Sequence, residues 1–237
     1  MTRLHLVLGC AVLSVSGCLC STVSGNDIKS SGLHADLEVN TASNGHSTVK
    51  ATYTIGSSLT FIELGSGDTL TATLGSATQP MSKSSLFGAT WYQTDFSTDS
   101  EDSVVTIALT RTGDTSAPNS TVTLPAPLAI TAPTGSPHLS RAGNTPLDVT
   151  WSPTRGDAIR ASASGSCVQA VPEATLTGDP GTWRVPKLVA ESGKESQSCT
   201  VTVTIKRVRT GSVDPGYGKG GSFEARVVRD VSFTSDP

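Results

Sequence analysis

The chain has 237 residues, with 17 lysines and arginines against 20 aspartates and glutamates, a net charge of −3, and charged side chains at only 16%. Mild acidity without a basic cluster argues against a nucleic-acid-binding surface. Ser, Thr and Gly are abundant, and Val and Thr fill the apolar stretches, which favours strands over helices.

At the start of the chain Arg3 supplies a positive charge, Leu4 to Val15 form an apolar run of 12 residues, and the small residues Ser16 and Gly17 close it. Such a run has the length of a signal-peptide core and is too short to cross a bilayer as a helix. The segment Val15-Ser16-Gly17-Cys18 resembles the lipobox of bacterial lipoprotein precursors. The resemblance implies that residues 1–17 are a signal peptide, that Cys18 receives a diacylglycerol, and that the product is held in the cell envelope by that lipid. Cys10 would leave the apolar run too short and Cys20 has Leu19 directly before it, so Cys18 is the attachment candidate. An ordinary secretory signal cut close to Cys18 is the alternative. Leu19 is not the aspartate that retains some lipoproteins at the inner membrane, so the outer membrane is weakly preferred.

Residues 18–31 are small and polar without periodicity and read as a lipidated flexible tether. Folded structure is expected from Gly32, where Leu33, Ala35, Leu37 and Val39 alternate with polar residues, as do Val49, Ala51, Tyr53 and Ile55. Asn44-Gly45 between the two runs predicts a hairpin. Phe61 to Leu64 and Thr69 to Leu74 are expected to pair around Gly65 to Asp68, and Val104 to Arg111 adds a strand with Val105, Ile107 and Leu109 inward. These make a first β-sandwich over 32–117, followed by a Pro-rich linker at 118–126 and a second β-sandwich over 127–237.

In the second half Leu147, Val149 and Trp151 share one face, and Ile159, Ala161, Ala163 and Cys167 fall at odd positions. Cys199, Val201, Val203 and Ile205 do the same, so both cysteines are expected to point into the core and to form a disulfide. An exported compartment permits that bond. The alternatives are two buried thiols, or Cys20 pairing with one of them. The chain ends in a long hairpin, Cys199 to Arg209 and Ser222 to Thr234. Its Gly-rich connection, residues 210–221, reads as a mobile tip carrying an exposed Tyr217 and Lys219. Arg229 interrupts the apolar face of the last strand.

The all-β pattern, two tandem antiparallel sandwiches after a leader and tether, is similar to the immunoglobulin-like domains of bacterial surface proteins. Trp151 precedes both cysteines, whereas immunoglobulin domains place the tryptophan between them.

Catalytic signatures are missing: there is no HExxH, CxxC or G-x-S-x-G, and His34, His46 and His138 lie far apart in sequence. No enzyme activity and no cofactor are expected. A lipid-anchored hydrolase would need one of these histidines beside a serine and an acid in a concave pocket. Asp95, Asp99, Glu101 and Asp102 are a weak calcium candidate, since clustered carboxylates offer the oxygens Ca2+ takes, but their spacing matches no EF-hand. Trp91, Tyr92, Trp183 and Tyr217 are the aromatics that could contact a ligand such as a sugar ring, with burial in the core as the default for the tryptophans. The expected function is a non-catalytic structural or interaction module in the envelope, with a protein or glycan partner. Carbohydrate binding is the alternative.

Overall fold

The computed structural model describes residues 21–42, 44–143 and 146–237, without the side chains of Ser57 and Ser58. Cys18, Cys20 and the rest of the leader lie outside the described residues. In chain order the strands of the first half are β1 (Ser21–Ser24), β2 (His34–Thr41), β3 (Ser47–Ile55), β4 (Ser57–Glu63), β5 (Thr69–Leu74), β6 (Ala77–Pro80), β7 (Ser82–Leu86), β8 (Ala89–Phe96), β9 (Val104–Thr110) and β10 (Ala117–Thr123). Those of the second half are β11 (Ala129–Ala132), β12 (His138–Ser140), β13 (Leu147–Ser152), β14 (Ala158–Gly165), β15 (Val168–Leu176), β16 (Thr182–Val185), β17 (Cys199–Thr210) and β18 (Gly221–Asp236). Among the described residues there is no α-helix. The chain is all-β.

Among the described residues there are three sheets. The largest runs β1-β4-β3-β2-β18-β17-β14-β15, with the β7–β8 hairpin joined to β3 through β8 and β12 joined to β18. A second has the order β10-β9-β5-β6 and a third β11-β13-β16. The alternation read from the sequence becomes burial. Leu37 and Val39 of β2, Val49 and Tyr53 of β3, and Val105, Ile107 and Leu109 of β9 meet in one apolar cluster between the first and second sheets. Val149, Trp151, Ile159, Val203, Ile205 and Phe233 meet in another between the first and third.

The two clusters share one sheet. β18 has 16 residues, about 50 Å at the usual rise of a strand. Its first part, Gly221 to Val227, lies parallel to β2 over Ala35 to Thr41, while β17 flanks it along nearly its whole length. Phe223 and Ala225 therefore belong to the first cluster, and Val227 and Phe233 to the second. The C-terminal strand does not respect a division of the chain at 118–126. Backbone hydrogen bonds run unbroken from one cluster to the other, so thermal unfolding is expected as a single transition whose calorimetric and van't Hoff enthalpies agree. Two resolved transitions would contradict this coupling.

Three local expectations are corrected. Residues 21–31 are not a flexible tether: β1 is paired in parallel with β4, Ser21 opposite Thr60, and Ser30 is buried with its hydroxyl donating to Thr115 O at 2.6 Å. Small polar residues without alternation conceal an edge strand, because such a strand needs only backbone pairing.

Phe61 to Leu64 and Thr69 to Leu74 do not pair with each other, since β4 lies in the first sheet and β5 in the second. The Gly65–Asp68 turn is a corner between the sheets. Asp68 accepts the Gly65 N–H at 3.0 Å and forms a buried ion pair with Arg111 at 2.8 Å.

The 210–221 connection is not a mobile tip. Thr121 and Ser212 exchange backbone hydrogen bonds of 2.9 and 2.8 Å, and Asp214 accepts the Asn119 N–H at 2.7 Å, tying the segment to β10. Its glycines serve close approach. A Cβ on Gly221 would sit 1.9 Å from Ala35 O, and one on Gly211 would sit 2.1 Å from Thr121 O. Glycine permits both flexibility and contact, and sequence alone does not distinguish them.

Candidate functional site

The ligand-contact aromatics are mostly structural. Tyr217 is only 2% exposed, and its hydroxyl meets that of Tyr53 at 3.0 Å inside the first cluster. Burial raises its pKa to about 12, with the nearby Asp214 adding to the rise and the Tyr53 hydrogen bond opposing it. Tyr92 is buried, with its hydroxyl accepting the Leu64 N–H at 2.8 Å. Trp183 is buried in the second cluster, opposite Val149 of β13. Trp91 alone reaches the surface, and Lys50 Nζ lies over its ring, 5.4 Å from the centroid. The four residues form no common platform.

The acidic loop does not converge either. Among the described residues no group of three His, Cys, Asp or Glu could hold a metal ion. Asp95 accepts the Thr48 hydroxyl at 2.5 Å, and the charge of Asp99 partly offsets the lowering of the Arg229 pKa that burial causes. Glu101 accepts from Arg155 Nε at 3.2 Å, and Asp102 pairs with Arg209, which also reaches Asp157 at 2.6 Å and Leu124 O at 2.8 Å. The last two acids tie the loop before β9 to the second half of the chain. Arg229, the residue that breaks the apolar face of β18, donates to Val228 O at 2.8 Å and to Thr41 O at 3.4 Å.

Among the described residues, two of the three histidines, His34 and His138, show a repeated arrangement of the wrong order for hydrolysis. Asp36 Oδ1 accepts from the Ser222 hydroxyl at 3.2 Å and lies 3.2 Å from His34 Nε2. Asp236 accepts from Ser198 at 2.7 Å, and its other oxygen lies 3.0 Å from His138 Nδ1. In both, the carboxylate stands between hydroxyl and imidazole, whereas activating a serine requires the imidazole to stand between hydroxyl and acid. Hydrogen bonds from Ser198 and then His138 hold the Asp236 carboxyl below its ordinary pKa. Both sets are exposed.

Cys167 and Cys199 form the disulfide, with Cα atoms 5.7 Å apart. Next to it, across Arg141, lies a cavity of about 470 Å³ whose lining includes Leu139, Leu147, Leu188 and Phe233 and the cations Arg141, Arg184 and Lys187. The two arginines are engaged. Arg184 is bidentate to Asp148 at 2.8 Å, and Arg141 donates to Ser235 O, Glu195 O and Gln197 O.

Alternation also hid a buried charge. Arg207 continues the inward phase of Val203 and Ile205 on β17 and is fully buried, paired at 2.6 Å with an equally buried Asp179. It donates further to Ala126 O, Pro127 O and Pro153 O. Asp179 also accepts from Trp151 Nε1 and from the Arg155 N–H, each at 2.7 Å. The cluster joins the segment between the chain's two halves to the second core. An arginine in phase with core residues was the available signal.

The edge of the first sheet differs in character. Leu86 and Phe87, at the tip of the β7–β8 hairpin, are 58% and 89% exposed, and Val23 of β1 and Leu59 of β4 are 36% and 43% exposed. The Thr22 hydroxyl donates to Gly88 O at 2.8 Å and meets the Thr90 hydroxyl at 3.0 Å, so the tip is fixed beside β1.

No protein-family model matches the chain, and no curated protein matches it. Among solved structures, a cytokine receptor complex aligns at 13% identity over 83% of this chain and 95% of that chain, with a TM-score of 0.30. A chimeric titin Z1Z2-Z1Z2 tandem aligns at 10% identity over 84% and 95%, with a TM-score of 0.28. An adhesin of Yersinia pseudotuberculosis, InvE, aligns at 12% identity over 86% and 59%, with a TM-score of 0.25. Likenesses of this size assign neither a family nor a function.

Proposed function

We propose that this is a lipid-anchored cell-envelope protein, exported and held at a membrane, with the outer membrane preferred, through a lipid on Cys18. Its folded part acts as a non-catalytic interaction module. The observation that carries the reading is the Val15-Ser16-Gly17-Cys18 run after a positively charged, apolar leader. The fold is consistent with an anchor supplied from outside the body, since no helix among the described residues is long and apolar enough to cross a membrane. The hydroxyl–carboxylate–imidazole order at Asp36 and Asp236 supports a role without hydrolysis. Burial of Tyr92, Trp183 and Tyr217 favours a protein partner over a glycan.

Two acyl chains, at about 0.8 kcal/mol per buried CH2, anchor stably where one binds only marginally. Wild-type protein expressed in a bacterium is therefore expected to incorporate labelled fatty acid and to yield an N-terminal peptide beginning at a diacylglyceryl Cys18. The Cys18→Ala variant should carry no label. Absence of label from the wild type, or equal labelling of the variant, overturns the anchor.

A further inference from the structure

We infer that the Leu86–Phe87 tip of the β7–β8 hairpin is a membrane-contact wedge that dips into the bilayer beside the lipid anchor. The inference rests on acylation of Cys18 and adds to it a defined face and orientation for the folded body.

The first argument is reach. β1 begins at Ser21, three residues after Cys18, and an extended chain covers at most about 3.6 Å per residue. The Cα of an acylated Cys18 therefore lies within about 11 Å of Ser21. Thr22 is hydrogen-bonded to Gly88 at the hairpin tip. Whatever surface holds the acyl chains also faces the tip.

The second argument is composition. Six large apolar side chains are exposed among the described residues, and four of them, Val23, Leu59, Leu86 and Phe87, lie on β1, β4 and this turn. Segments 21–25, 57–62 and 84–90 contain no charged residue. The nearest charges on these strands, Glu63 and Lys83, pair with each other at the border. An apolar tip without charge and with an aromatic at its apex suits the interface of a bilayer, where aromatic rings gather.

The third argument is backbone conformation. Leu86 pairs with Ala89, so Phe87 and Gly88 are the two central residues of the turn, with φ of +48° and +82°. Both being left-handed defines the hairpin turn that normally carries Asn-Gly, and a bulky residue there is strained. This phenylalanine is 89% exposed and so adds little to the core. An outlier of this kind points to a contact outside the folded chain. Membrane is the partner that the proposed lipid on Cys18, three residues before β1, selects.

The test uses the full-length lipidated protein in vesicles containing brominated phospholipid. A Phe87→Trp variant is expected to show blue-shifted emission and stronger bromine quenching than the wild type, whose Trp91, Trp151 and Trp183 report the background. The same substitution made together with Cys18→Ala should lose most of that quenching. Phe87→Asn, which suits the turn, should keep or raise the melting temperature while speeding transfer of lipidated protein between vesicles. Confirmed acylation by mass with an unquenched, acrylamide-accessible Trp at position 87 overturns the wedge and leaves the anchor standing. Absence of the acyl mass overturns both.

Discussion

Asp179→Ala is expected to destabilise the protein by about 3–5 kcal/mol, as removal of one partner from a buried ion pair does. Both side chains are fully buried, so the variant leaves the Arg207 guanidinium charged and without its carboxylate. It also deprives the Trp151 indole and the Arg155 N–H of their acceptor. Total stabilities of about 5–15 kcal/mol make this a large fraction of what holds a domain folded. Asp179→Asn, which keeps an acceptor oxygen, should cost less. Urea unfolding measures both, and a loss below about 1 kcal/mol for Asp179→Ala would show that water or a rearranged neighbour replaces the pair.

The same carboxylate sets an acid limit. Burial pushes the Asp179 pKa up, but hydrogen bonds from Trp151, the Arg155 N–H and Arg207, with the charge of Arg207, outweigh it and hold the value below the ordinary 3.8. A depressed folded-state pKa contributes stability that is fully present above the unfolded value and is lost as pH falls through the folded one. Stability should therefore be insensitive to this group from pH 5 upward and fall below about pH 4. Asp179→Asn should flatten that acid limb. Exposed carboxylates that are also depressed, such as Asp148 beside Arg184, are screened by solvent and weigh less.

Reduction of the Cys167–Cys199 bond is expected to have an effect of similar size. The bond joins positions 32 residues apart, and closing such a loop in the unfolded chain is worth about 3–4 kcal/mol on chain entropy. It links the turn after β14 to the first residue of β17, where Cys199 lies opposite Ser235 near the end of β18. The linkage holds the free end of the hairpin that runs through both clusters. Urea curves with and without reductant, repeated on the Cys167→Ala/Cys199→Ala variant, read the difference. Coincident curves would mean that the strands hold this end without the bond.

Burial parity was legible where strands are regular and half-buried. The odd-numbered residues from Val201 to Ile205, those from Val105 to Leu109, and the cysteine pair could be placed inward because a strand turns successive side chains to opposite faces. The same parity placed Arg207 inward, where apolar patterning gives no reason to expect a charge. Its acceptors come from Ala126, Pro127, Pro153 and Asp179, which are distant in sequence. The exposed tip at Phe87 was equally hidden, because exposure of one aromatic depends on what does not pack over it.

Alone, the sequence determined the strand character of the chain, the inward faces of its main strands, the turn at Asn44-Gly45 and the cysteine pair, all of which follow from spacing along a single strand or turn. The proposed lipobox reading of Val15 to Cys18 rests on the sequence alone. Only the tertiary structure decided which strands pair, that β18 serves two cores, that β1 abuts the start of the body, and that Tyr217 is buried while Phe87 is not. Pairing and burial depend on close approaches between distant residues, such as Gly221 against Ala35, and no local pattern encodes the neighbour that a residue will meet.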